Sequence, residues 1–215
     1  FVTLLLLAGG SARGDNRACM ECHEDEDLVR ELGGTGSVHV KAEIFGASVH
    51  SDMDCSDCHQ DAILVDDEHT ADLKMVRCAE CHDGQAGLFE GSTHGRAAAS
   101  GDPLAPSCSS CHGSHDIFKP VDRRSRTYRI NIPAVCSSCH AEGHEVAVNR
   151  ELGEEHPVET YSMSIHSRGV FKRGLLGAAV CSDCHGSHEV LPREDPRSRI
   201  HHDNIANTCA SCHTE

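Results

Sequence analysis

All 14 cysteines of the chain stand in Cys-x-x-Cys pairs, and each pair is followed at once by histidine. The seven stretches are Cys19-Cys22-His23, Cys55-Cys58-His59, Cys78-Cys81-His82, Cys108-Cys111-His112, Cys136-Cys139-His140, Cys181-Cys184-His185 and Cys209-Cys212-His213. Thiols at positions i and i+3 lie on one face of a helical turn. Disulfide frameworks, zinc sites and thioredoxin-like redox pairs also use paired cysteines. None of them requires a histidine behind every pair. Histidine makes up 18 of the 215 residues, so the pattern has accidental odds of about 3 in 100 million.

Two thiols that add to two vinyl groups on one porphyrin edge, with the next side chain reaching the iron, need this spacing. It is the attachment signature of c-type haem, with the histidine as proximal axial ligand. Seven haem c groups are therefore expected. Sharing the chain among them leaves about 31 residues per haem. Only 3% of residues are aromatic and there is no Trp, which makes a conventional apolar core thin. The haem faces are expected to supply much of the buried surface, and the haem-free chain is not expected to fold. The predicted fold is mostly irregular with short α-helices and little strand, an elongated wrap built from repeated two-haem units.

The repeats are visible in detail. Ser92-Thr93-His94 precedes Cys108 to His112, then Gly113-Ser114-His115-Asp116-Ile117, Asp122 to Arg126, Asn131-Ile132 and Cys136 to His140. The same order recurs as Ser164-Ile165-His166, Cys181 to His185, Gly186-Ser187-His188-Glu189-Val190, Asp195 to Arg199, Asn204-Ile205 and Cys209 to His213. Cys108 and Cys136 are 28 positions apart, as are Cys181 and Cys209. A shorter copy runs from Ser48-Val49-His50 through Cys55 to His59 and His69 to Cys78 to His82. The expected organisation is a leading haem segment over 14–43, then two-haem units over 44–88, 89–140 and 161–215 with an acidic insert at 141–160. Repetition of this kind suggests similar modules stacked along a line.

Ser-x-His, then Cys-x-x-Cys-His-Gly-Ser-His, then a second Cys-x-x-Cys-His resembles the doubled-motif multihaem cytochromes, related to the cytochrome c3-like group. The likeness spans about residues 37 to 215. It implies electron transfer through the bound haems outside the cytoplasm. Relatives include periplasmic carriers, haem subunits of membrane quinone-linked complexes and extracellular cytochrome filaments. The partners it implies are redox proteins, a quinone-linked complex, or copies of the chain itself in a filament.

Seven further histidines are candidates for the second axial position. His50, His94 and His166 occupy the Ser-x-His site, while His115 and His188 follow their motifs by three residues. His69 lies where the short copy would place the counterpart of His115, and His39 is assigned to the leading haem. His201 and His202 align with Tyr128 and Arg129 of the other copy, so repetition gives them no such role. Met20 lies inside a motif and is badly placed for a ligand, while Met53, Met75 and Met163 do not recur and are read as packing residues. Two histidines on every iron leave no open site, which favours electron transfer over catalysis. No Cys-x-x-Cys-Lys motif is present, and a haem enzyme with one open iron stands as the lesser alternative.

The net charge of −15, made more negative by haem propionates, argues against nucleic acid as a partner and attracts basic patches on redox proteins. Residues 1–13 carry an apolar run ending in small residues. It reads as the end of a secretory signal with a cut after Ala12, or as part of an N-terminal anchor. Either fits a periplasmic or extracellular location.

Overall fold

The computed structural model describes residues 16–26, 38–65, 69–70, 72–149 and 156–214. The expectations for residues 1–13, for Gly36 and Ser37 and for 150–155 of the insert fall outside that set. The described residues form short helices joined by turns, with no strand beyond an isolated bridge at Val65. The helices are α1 (Asn16–His23), α2 (Ala42–Phe45), α3 (Cys55–Cys58), α4 (Asp83–Glu90), α5 (Thr93–Ala99), α6 (Cys108–His112), α7 (Ile132–His140), α8 (Glu145–Asn149), α9 (Pro157–Met163), α10 (Ile165–Arg173), α11 (Cys181–His185) and α12 (Ile205–Ala210). A 3-10 turn spans Cys78–Glu80. Among the described residues no helix is long and apolar enough to cross a membrane.

The chain divides into two compact lobes. One comprises residues up to Gly46 with His50–Arg77, and the other Ala47–Val49 with Cys78 onward. In the first, the Asn16 side chain ties the start of α1 to α3. Its amide donates to Met53 O at 3.0 Å and its oxygen accepts from Cys55 N–H at 2.7 Å. In the second, α7 packs against α8, α9 and α11, and α10 packs against α9.

Local chemistry explains the helical turn at three of the attachment motifs. In α3, α6 and α11 the second residue between the cysteines accepts the N–H of the residue before the first cysteine. The bonds are Asp54 N–H to Asp57 (2.9 Å), Ser107 N–H to Ser110 (3.0 Å) and Val180 N–H to Asp183 (2.7 Å). Each satisfies an N–H that a helix start would otherwise leave unpaired. The glycine that follows α6 and α11 is required by the backbone, since Gly113 and Gly186 sit at φ +86° and +84°. A Cβ at Gly113 would also run into the Asp116 carboxylate.

The loops that join the paired motifs carry the same bonds in two copies. Asn131 Nδ2 donates to Arg123 O and Ser125 O, and Asn204 Nδ2 donates to Pro196 O and Ser198 O. Ser125 and Ser198 are both buried. An Asp-x-Arg clasp, Asp122 with Arg124 and Asp195 with Arg197, closes each turn at 2.8 and 2.7 Å. Buried apolar side chains are few. Among the described residues they are Phe118, Val170, Val180 and Leu191, while Val49, Ile63, Leu88, Ile165 and Phe171 are exposed.

Candidate haem centres

None of the fourteen cysteines is joined in a disulfide and none is buried. Consecutive motifs adjoin through them. In the first lobe burial and the neighbouring Cys19 thiol push the Cys55 thiol up to about 11. In the second lobe Cys78 lies against Cys108, Cys111 near Cys139, and Cys184 near Cys209. Cys136 lies beside Cys181, and that neighbour together with burial pushes the Cys136 thiol well up.

The histidines form pairs of a particular width. Ring centres are 5.9 Å apart for His23 and His69, 6.0 Å for His94 and His140, 5.9 Å for His112 and His188, and 6.0 Å for His166 and His213. A metal–imidazole bond of about 2 Å and roughly 1 Å from nitrogen to ring centre, counted on both sides of one ion, give about 6 Å. In each pair one ring belongs to a Cys-x-x-Cys-His motif and the other is a candidate distal ligand. By contrast, the His201 and His202 rings are 4.1 Å apart, too close to face each other from opposite sides of one ion. Bis-histidine haem therefore fits these four sites.

Hydrogen bonds orient the rings for that task. Nδ1 of His23 donates to Val38 O at 3.0 Å and Nδ1 of His69 to Thr70 O at 2.8 Å, which leaves both Nε2 lone pairs for a metal. His201 is used the other way, its Nδ1 accepting the Asp203 N–H at 3.3 Å. Burial moves His94, His112 and His140 below the usual histidine range. That favours the neutral imidazole that binds metal.

Ser-x-His has a structural meaning of its own. Ser92 and Ser164 are the N-caps of α5 and α10, accepting from Gly95 N–H and Ser167 N–H at 3.0 Å each. The cap fixes the first helical turn and with it His94 and His166, two residues on. The pattern Ser-x-His at a helix start could have signalled this from sequence.

The ring opposite His23 is His69, where the sequence assigned His39 to the leading haem. The reason lies in residues 38–40, which are tied to the back of His23: Val38 O takes its Nδ1–H, and Val40 N–H donates to His23 O at 2.6 Å. His39, His50, His59 and His115 are half-buried and His82 is exposed, each engaged in contacts of its own. His185 lies near His140, and burial together with that neighbour moves it below the usual histidine range.

Attachment motifs on helical turns, with imidazoles paired about an ion's width apart, define a multihaem c-type cytochrome. Comparison with known proteins agrees: residues 47–141 match the family model for cytochrome c3, and over 139 residues, 61% of the chain, it is 30% identical to the multihaem cytochrome MtrA of Shewanella baltica (strain OS185). That stretch is 34% of the relative's own length. No solved structure matches. The family points to electron transfer.

Proposed function

We propose that the chain carries seven c-type haems and passes electrons along them outside the cytoplasm. The observation that carries this reading is the set of four histidine pairs 5.9–6.0 Å apart. In this assignment the fourteen motif cysteines hold the porphyrins, and His23, His59, His82, His112, His140, His185 and His213 are the proximal ligands. His69, His94, His188 and His166 are distal to His23, His140, His112 and His213, and His39, His50 and His115 serve the remaining irons. The bound haems supply reversible one-electron chemistry. These residues would hold the haems and fill their axial positions.

Within each lobe the electrons would pass between neighbouring attachment sites, Cys19 lying near Cys55, Cys78 near Cys108 and Cys136 near Cys181. The acidic surface draws the basic patches of redox partners. Intact mass under denaturing conditions tests the haem count: seven covalent haems are expected, and five or fewer would overturn the assignment. Near-infrared magnetic circular dichroism tests the ligands. Bis-histidine bands are expected, and several His/Met bands would contradict them.

A further inference from the structure

The turn that leads into α12 is built twice in the chain with different side chains. In the third copy His201 N–H donates to Ser198 O at 3.1 Å, and Asn204 N–H and Ile205 N–H donate to His201 O at 2.9 and 3.0 Å. In the second copy Tyr128 N–H donates to Ser125 O at 3.0 Å, and Asn131 N–H and Ile132 N–H donate to Tyr128 O at 2.7 and 3.2 Å. The backbone is thus the same around Tyr128-Arg129-Ile130 and around His201-His202-Asp203. Forming the turn requires neither set of side chains. The third copy nevertheless places two imidazoles and a carboxylate where the second has Tyr, Arg and Ile.

His201, His202 and Asp203 bring one ligand atom each to within 4.8 Å of one another. His201 Nδ1 stands 3.5 Å from Asp203 Oδ2, and His202 Nε2 stands 3.1 Å from Asp203 Oδ1. Ligand atoms bonded to one zinc-class ion lie about 2.9–3.4 Å apart, from right-angled to tetrahedral geometry, close to these spacings. The ring centres agree. Two imidazoles whose centres are about 3 Å from one ion, at a right angle, have centres about 4.2 Å apart, and those of His201 and His202 are 4.1 Å apart. Nδ1 of His201 accepts the Asp203 N–H at 3.3 Å, so this nitrogen presents a lone pair and no proton. It faces a carboxylate, which also only accepts. Two acceptors turned toward each other repel, and a cation between them converts the repulsion into two bonds. The N–H bond that ligation would displace is a long one. His201 is buried, which fixes the direction of its ring, while His202 and Asp203 are exposed and leave further coordination positions to water. We propose that His201, His202 and Asp203 bind one divalent first-row transition ion, of the zinc or copper class, in addition to the haem irons. Imidazole nitrogens suit these ions, and magnesium and calcium prefer oxygen.

Calorimetric titration of the oxidised, haem-loaded protein with Zn2+ alone tests the site against a variant carrying His201→Tyr, His202→Arg and Asp203→Ile. That variant bears the second copy's own residues at the turn, so its Soret spectrum and thermal unfolding should match the parent's. The parent should bind one Zn2+ more than the variant. Losing even an outer-shell partner of a metal ligand costs about 10–100-fold in affinity, and losing a ligand costs no less. The single change His202→Ala, at an exposed side chain, should therefore weaken the site at least about tenfold. Cu2+ should bind there more tightly than Zn2+, and Mg2+ should not compete. Equal Zn2+ binding by the parent and the triple variant, an unchanged affinity in His202→Ala, or displacement of Zn2+ by equimolar Mg2+ would overturn the site. If the triple variant fails to load haem, the single variant decides the matter.

Discussion

The rings of His112 and His188 lie nearly parallel, 9° apart with centres separated by 5.9 Å, although they belong to different copies of the repeat. One copy thus provides the imidazole that faces the attachment site of the copy before it. The third copy meets the second at this pair of rings as well as through Arg129 and Asp183.

Replacing His188 by Ala should leave one iron high-spin, at the haem held by Cys108, Cys111 and His112. It should gain affinity for carbon monoxide and cyanide. His201→Ala should leave the haem spectrum intact, because the His201 ring packs on His202 and its Nδ1 is used by Asp203 N–H. Magnetic circular dichroism of the two variants distinguishes these outcomes, and equal damage from both would refute the pairing.

Ser92→Ala should destabilise the haem-loaded protein by about 1 kcal/mol, the usual cost of losing an N-cap. Ser164→Ala should act alike. Thermal unfolding followed at the Soret band measures this.

Side-chain hydrogen bonds from Arg124 and Arg197 hold the Asp122 and Asp195 carboxyls down at about 2. Since both lie below the ordinary carboxylate value of about 4, what the clasps add is complete above that pH and is lost as pH falls through about 2. Carboxyl titration by nuclear magnetic resonance in the reduced, diamagnetic protein should show both midpoints displaced downward. Arg124→Ala should return Asp122 toward the ordinary value.

Expressed without haem attachment, the chain should lack stable tertiary structure. Each fully buried apolar side chain contributes about 1.5–3 kcal/mol, and the described residues bury four. Ordering a single residue costs about 1–2 kcal/mol. Far-UV circular dichroism should show little helix in the haem-free chain, and a cooperative melting transition there would contradict this account.

What sequence reveals about the sites divides by distance along the chain. The attachment motifs are contiguous, so spacing alone locates them, and the short helices follow from cysteines three apart. The distal histidines are legible as candidates because they recur. Their partners are not, since His188 meets His112 only after two copies have packed. His39 and His69 show why: both lie near a motif, and what separates them is Val38 O at the back of His23. Arg129 and Asp183 were equally hidden, because the third copy has His202 at the position of Arg129 and so gives no repeating sign of the bond.

Cys136 and Cys181 lie close enough to perturb each other's thiols. In an oxidising compartment, neighbouring thiols not joined to haem pair with each other, and a disulfide formed there would leave two porphyrins each short of an anchor. The haem-free chain is not expected to hold the two thiols together, so haem attachment at either motif removes one partner and closes that route.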